Sequence, residues 1–273
     1  MGAGESTLDE NNMKTVILAG GKGTRISEES VIRPKPMVTI GGKPILWHIM
    51  KIYGAQEFND FIVCCGYKGE FIKKWCLSLA MQNKAIQYDL DSLNSRGQVD
   101  YKSNNSEPEN WKITCANTGL NTLTAGRILA IRKYLGEEEF MLTYGDGVAD
   151  IDIKALIDFH HSHGKILTIS TTQPEGRFGA IGINDAGVVE SFQEKARKDQ
   201  SFVNIGFMVT DSRIFDYLGD GSEMLEKGPF ERLAEDRQMA AYKHPGFWSP
   251  MDNIHDREYL EKLWDNNAPW KIW

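Results

Sequence analysis

The chain has 273 residues, 41% of them hydrophobic and 25% charged, with a formal net charge of -7. This is the make-up of a globular domain, and the acidic balance argues against general binding to nucleic acid or a membrane surface. No apolar stretch reaches membrane-spanning length.

The first twelve residues, MGAGESTLDENN, are polar and acidic and predict a disordered tail with no signal-peptide core. KTVILAG (14–20) reads as a short buried strand ended by glycine, ILWHIMKIYGAQ (45–56) as a helix and DFIVCCG (60–66) as a second strand. Cys64 and Cys65 are neighbours in that strand, so they must face opposite sides of it. With Cys76 and Cys115 they form no C-x-x-C spacing, which suits buried, reduced thiols in a cytoplasmic protein. EFIKKWCLSLAMQ (70–82) is a second helix, and the order strand, helix, strand, helix predicts a parallel sheet covered by helices.

Residues 91–111 are polar and aperiodic, and predict a surface excursion. KITCAN (112–117) returns to strand, AGRILAIRKYL (125–135) is helix, and EEFMLTYGDG (138–147) is a strand running into a loop. DIKALIDFHHSHG (152–164) is a helix with a glycine stop, followed by a strand in KILTISTTQ (165–173). IGINDAGVVESFQEK (181–195) reads as two strands about an Asp-Ala-Gly turn. SFVNIGFMVT (201–210) is a strand, and Asp211 directly after it reads as the N-cap of a helix. IHDREYLEKLW (254–264) is a last helix before a Trp-rich tail. Nothing resembles an internal repeat or a linker between independent domains.

The stretch with the strongest chemical signal is ILAGGKGTRISEESVIRPKPM (17–37). A strand followed by a glycine loop offers backbone N–H groups to an anion. Leu18, Ala19, Gly20, Gly21, Lys22, Gly23, Thr24 and Arg25 would form that cradle. The P-loop string is absent, and the dinucleotide fingerprint fails at Ile26. Arg25 supplies a planar fork for phosphate oxygens, and Lys35 stands between Pro34 and Pro36, which stiffen its presentation. Together they predict nucleotide-phosphate binding. Asp146, flanked by Gly145 and Gly147, follows a buried strand, where α/β sheets bind ligands, although an ordinary Asp-Gly turn would read the same. Asp252 in GFWSPMDN is a second loop carboxylate. NTGLNTLTAGR (117–127) is a Thr- and Gly-rich helix start that suits an anion. His160 and His163 lie one helical turn apart, but at a helix end before Gly164, where interaction with the dipole and carbonyls is favoured over a metal. Trp248, Trp264, Trp270 and Trp273 suit packing or a subunit contact.

LAGGKGTR followed by RPKPM resembles the signature of the sugar-1-phosphate nucleotidyltransferases. GGKPILWHIM, CCGYKG, YGDGVADIDIKALIDFH, GRFGA and HPGFWSPMD resemble the glucose-1-phosphate cytidylyltransferases within that family, from about Met13 to Trp273. The resemblance implies a Rossmann-like, mostly parallel mixed α/β sheet flanked by helices, with a smaller β-rich part for sugar binding and oligomerisation. It divides residues 13–273, one domain, into a nucleotide-binding part (about 13–150) and a sugar-binding part (about 151–273). It implies Mg²⁺-dependent transfer of a cytidylyl group from CTP to α-D-glucose 1-phosphate, giving CDP-glucose for deoxysugar or surface polysaccharide synthesis, by a homo-oligomer, a hexamer in the glucose enzymes. By the same likeness Asp146 and Asp252 hold Mg²⁺, Arg25, Lys35 and Lys195 are catalytic, Thr122, Arg127 and Gly145 contact the nucleotide, and Glu194, Lys195 and Asn204 bind the sugar. Arg177 belongs either to the scaffold or to a neighbouring subunit's site.

Four positions depart from the pattern: Asn117, Ala125, Ala196 and Ile205. They are expected near sugar and base, with Ile205 filling part of the sugar pocket. This leaves open another sugar 1-phosphate, or UTP or dTTP as donor. A non-catalytic protein that senses nucleotide sugars is the reading from another class. Intact Arg25, Lys35, Asp146 and Asp252 speak against it.

Overall fold

The computed structural model describes residues 13–23, 32–82, 98–100, 110–173, 180–183, 189–193 and 202–273. Its centre is an eight-stranded sheet. Strand β1 (Lys14–Leu18) pairs in parallel with β4 (Asp60–Cys65) on one side and β7 (Phe140–Tyr144) on the other. Outward from β4 come β6 (Lys112–Asn117), parallel, and β5 (Gln98–Asp100), antiparallel. Outward from β7 come β12 (Val203–Thr210) and β9 (Leu167–Thr172), joined by antiparallel pairings, then β13 (Met239–Lys243), parallel to β9. The chain leaves β1 toward β4 and later returns to its other edge as β7. This reversal opens the crevice beyond the strand ends in which α/β sheets bind ligands.

Alternation along each strand feeds two cores. Ile17, Phe61, Val63, Met141, Phe207 and Val209 face one of them. Val16, Leu18, Ile62, Leu142 and Met208 face the other. Cys64 and Cys65 divide between the two, as strand geometry requires. The first face is covered by α1 (Ile45–Gly54), α2 (Gly69–Gln82), α4 (Ile153–His163) and α6 (Ile254–Asp265). The second is covered by α3 (Thr124–Leu135), the 3-10 helix Ser212–Tyr217 and α5 (Pro229–Glu235). Strands β2 (Thr39–Ile40) and β3 (Lys43–Pro44) form a small antiparallel pair before α1, and β10 (Ala180–Ile183) pairs antiparallel with β11 (Val189–Gln193), the two expected strands.

Helix α1 is apolar nearly all round because it is covered twice. One side meets the sheet, where Tyr53 stacks on Phe207 at 5.9 Å. The other meets the tryptophan tail: Trp47 lies edge-on to Trp264 and Trp273, and the buried Trp270 donates its indole N–H to His48 Nδ1 at 3.3 Å. The tail is therefore packing. His48 Nε2 also lies 2.9 Å from the Ile40 carbonyl, and burial pushes its pKa down to about 4. His160 and His163 both approach Thr168 Oγ1 at 2.8 Å. Burial lowers His160 to about 4 as well, so a neutral imidazole bonded to a hydroxyl replaces the predicted interaction with the helix dipole.

Of the polar segment 91–111, residues 98–100 and 110–111 are described, and strand β5 and Trp111 are less external than the composition predicts. Gln98–Asp100 adds a strand to the sheet edge, and Trp111, 2% exposed, packs edge-on against Phe61. A single aromatic outweighs its polar neighbours because burying it removes a large apolar surface from water. Residues 1–12 lie outside the described residues.

Candidate active site

A cleft of about 350 Å³ opens at the carboxyl ends of β1 and β7, lined by residues of the glycine loop, the start of α3 and the segment 224–226. Leu18, Ala19, Gly20, Gly21 and Gly23 line it, and Lys22 is exposed beside it. Gly20 is required by a close approach: a Cβ there would sit 2.2 Å from Arg127 Nη1. Its carbonyl accepts the Tyr67 N–H at 3.0 Å and Arg127 Nη2 at 2.9 Å. Thr24 and Arg25 lie outside the described residues.

Arg127 reaches the cleft from α3 as a buried clamp. Besides Gly20 it donates to Thr118 Oγ1 at 2.6 Å and to the Gly119 carbonyl at 2.9 Å. The guanidinium thus joins the loops after β1 and β6. Burial lowers its pKa from the usual arginine value, with Cys64 and Cys65 opposing. Thr122 also lines the cleft. The helix start is less open to an anion than its sequence implies, because the Ala125 N–H donates to the Glu223 carbonyl at 3.3 Å.

Lys35 opens a one-turn 3-10 helix, Lys35–Met37, between the extended Pro34 and the buried Pro36. The Met37 N–H closes on the Pro34 carbonyl at 2.8 Å. This stiff turn holds the Lys35 ammonium 2.7 Å from Asp146 Oδ2 and 2.7 Å from Asp252 Oδ1. Burial by itself would lower the Lys35 pKa; the two carboxylates outweigh it and raise the pKa, so the ammonium stays charged.

The two aspartates meet through a ribbon. Strand β8 (Gly147–Ala149) pairs antiparallel with β14 (Trp248–Pro250), which sets Gly147 opposite Pro250. The Met251 N–H then donates to the Asp146 carbonyl at 2.8 Å. Asp252 precedes the Asn253–Asp256 capping box of α6, and its own N–H donates to Asp256 Oδ2 at 2.8 Å. Gly145 allows the approach from behind, since a Cβ there would lie 3.1 Å from both the Leu18 carbonyl oxygen and Pro36 Cγ.

Among the described residues no group of three or more His, Cys, Asp and Glu side chains could hold a metal ion by itself. The donor set present is a pair of carboxylates converging on one cationic point, occupied by the Lys35 ammonium. Two hard oxygen donors that leave positions for water and phosphate fit Mg²⁺, which is commonly held by one or two carboxylates plus substrate phosphates.

The proposed sugar side is less complete. Glu194, Lys195, Ala196 and Arg177 lie outside the described residues. Asn204 Oδ1 accepts the Gly206 N–H at 2.8 Å, and Asn204 is not among the residues lining the cleft. Ile205 does not fill a sugar pocket: it is 3% exposed and belongs to the core with Phe207 and Val209, because alternation along β12 turns it inward. Ala125 is likewise fully buried, and Asn117 closes a turn through the Gly119 N–H at 3.2 Å. Two of the three departures described are thus core substitutions. Tyr144, the first residue of YGDGVADIDIKALIDFH, also lines the cleft, and Met224 and Glu226 line it without a motif to announce them.

No described helix is long and apolar enough to cross a membrane. The sequence model of the nucleotidyl transferase family matches residues 14–254. Over 263 residues the chain is 47% identical to the glucose-1-phosphate cytidylyltransferase of Salmonella typhimurium, covering 96% of this chain and 100% of that one. It is 43% identical, with the same coverage, to a probable glucose-1-phosphate cytidylyltransferase of Bacillus subtilis. Among solved structures, a putative glucose-1-phosphate thymidylyltransferase from Bacillus anthracis superposes with a TM-score of 0.65 at 15% identity, over 92% of this chain and 94% of that one. HddC from Yersinia pseudotuberculosis, complexed with GMP-PN, gives 0.62 at 24% identity over 92% and 99%. At these identities the two structures speak for the fold. With the family pattern spanning the glycine loop, Lys35 and both aspartates, the chain belongs to the nucleotidyl transferase family, in its glucose-1-phosphate cytidylyltransferase branch.

Proposed function

We propose that the chain transfers a cytidylyl group from CTP to α-D-glucose 1-phosphate, forming CDP-glucose and pyrophosphate. The observation that carries the reading is the 47% identity along the whole length of a glucose-1-phosphate cytidylyltransferase. The paired carboxylates around a charged Lys35 supply the chemistry it needs.

A phosphate oxygen of the sugar phosphate attacks the α-phosphorus in line, and pyrophosphate leaves. The attacking group is already an anion, so no protein nucleophile is required, and catalysis reduces to positioning and charge stabilisation. Asp146 and Asp252 are the carboxylates that would hold Mg²⁺. When bound, that ion supplies a Lewis acid that draws charge from the phosphate oxygens. Lys35, whose ammonium bonds both carboxylates here, adds a second positive charge beside that site. The glycine loop offers backbone N–H groups to the triphosphate, while Arg127 holds that loop against its neighbours. By family likeness Arg25 also binds the triphosphate, Lys195 grips the sugar phosphate and Glu194 takes the sugar hydroxyls. The same reading makes the protein a cytoplasmic homo-oligomer, a hexamer by likeness, that supplies deoxysugar or surface polysaccharide synthesis.

The test is pyrophosphate release from CTP, UTP and dTTP, each with a panel of sugar 1-phosphates, before and after chelation of divalent ions. The expected result is release that is fastest with CTP and glucose 1-phosphate, abolished by chelator and restored by Mg²⁺. Preference for another pair would reassign the substrates, and no release with any pair would leave a nucleotide-sugar sensor.

A further inference from the structure

Glu226 is, among the described residues, the one acidic side chain lining the cleft besides Asp146 and Asp252. It accepts a hydrogen bond from the Tyr144 hydroxyl. The segment that carries it is tied down on both sides. Leu225, between Met224 and Glu226, is fully buried, and its N–H donates to Thr124 Oγ1 at 2.7 Å. Glu223 pairs with Arg232 at 2.7 Å. Anchors at Glu223 and Leu225 therefore hold Met224 and Glu226 on the cleft wall.

A carboxylate in a cleft built for polyphosphate repels the phosphates, so it belongs opposite a neutral part of the ligand that offers O–H or N–H groups. Its brace indicates which part. Tyr144 ends β7, between β1 with its glycine loop and β12. The Tyr144 ring packs on Gly206 of β12, where φ is +87° and a Cβ would lie 2.6 Å from the ring. Glu226 is thus braced by the residue that links the end of β7 to β12, the strand that carries Asn204. On the reaction proposed above, we propose that Glu226 accepts a hydroxyl hydrogen bond from the hexose of the sugar 1-phosphate and so helps select the sugar, with Tyr144 as its positioning residue. Met224, 42% exposed, gives the adjoining wall an apolar surface for the C–H face of the ring.

The test compares the parent enzyme with Glu226→Gln and Tyr144→Phe, using CTP with glucose 1-phosphate and its monodeoxy analogues. Glu226→Gln should raise KM for glucose 1-phosphate about tenfold, as loss of a hydrogen bond to a charged acceptor does, while KM for CTP stays within about a factor of two. That penalty should vanish for the single analogue that lacks the contacted hydroxyl. Tyr144→Phe should show the same pattern at about threefold. KM does not depend on the folded fraction, so partial misfolding would not mimic the pattern. A variant unaffected with every sugar, a uniform loss across all analogues, or a rise in KM for CTP alone would overturn the role of Glu226. A parent that releases no pyrophosphate would overturn the reaction and this inference with it.

Discussion

The two ends of the cleft are built on opposite plans. The glycine-loop end is one continuous run, residues 18–23, laid down directly after β1. The carboxylate end is assembled from afar: Lys35 meets Asp146 across 111 residues and Asp252 across 217. A local loop carries its binding chemistry in the backbone, where glycine spacing is visible in the sequence. The assembled end carries its chemistry in side chains that only the β8–β14 ribbon brings together. The first should tolerate side-chain changes that keep the backbone in place, and the second should not.

The largest effect is expected at the assembled end. Asp146→Asn should lower kcat/KM on the order of a thousandfold with the fold intact, because it removes a hard donor at the point of charge build-up; thermal unfolding beside the rate assay separates the two. A loss below about tenfold would mean that the ribbon does not form a metal site. Lys35→Ala should lower turnover by about a hundredfold while changing stability by only about 1 kcal/mol, since it breaks two ion pairs whose carboxylates are about one-third exposed to water. Equal activity of variant and parent would remove Lys35 from the mechanism.

At the local end, Gly20→Ala probes the backbone. A Cβ 2.2 Å from Arg127 Nη1 forces the clamp to move. The expected result is about a tenfold rise in KM for CTP with a loss of about 1–3 kcal/mol in stability. An alanine variant with parental KM and Tm would show that the clamp does not shape the loop.

The smallest effect concerns acid and lies outside the cleft. His48 has its pKa lowered from 6.5 to about 4 by burial. Between those values the unfolded chain binds the proton and the folded chain does not. This contribution is full above about pH 6.5 and is lost as pH falls toward about 4, amounting to about 3 kcal/mol. Tm measured from pH 7 downward should fall more steeply in the parent than in His48→Gln. Parallel profiles would show that His48 is not the titrating group.

The legibility of the chain follows the range of its interactions. Strand β1, helix α1 and the glycine stop at Gly164 (φ +62°) could be read directly, because period, turn chemistry and capping act within a few residues. Much of the cleft lining could be read from motifs in the glycine loop, around Lys35 and around Asp146. The errors came where a neighbour distant in sequence decides the outcome. Trp111 ends a polar stretch yet is buried because Phe61 waits for it. Ile205 looked like a pocket wall, but its place in the β12 alternation turns it into the core. Arg127 lines the cleft, as its motif implies, but no motif announces that the Gly20 and Gly119 carbonyls and the Thr118 hydroxyl also hold it as a clamp.

By itself, then, the sequence determined the reaction class, the parallel core of the sheet and the glycine loop at one end of the cleft, because each rests on local pattern and backbone geometry. Only the tertiary structure decided that Lys35, Asp146 and Asp252 share one point, and that Tyr144 and Glu226 form a wall. Side-chain convergence depends on strand pairings such as Gly147 with Pro250, and no spacing along the chain encodes those distances.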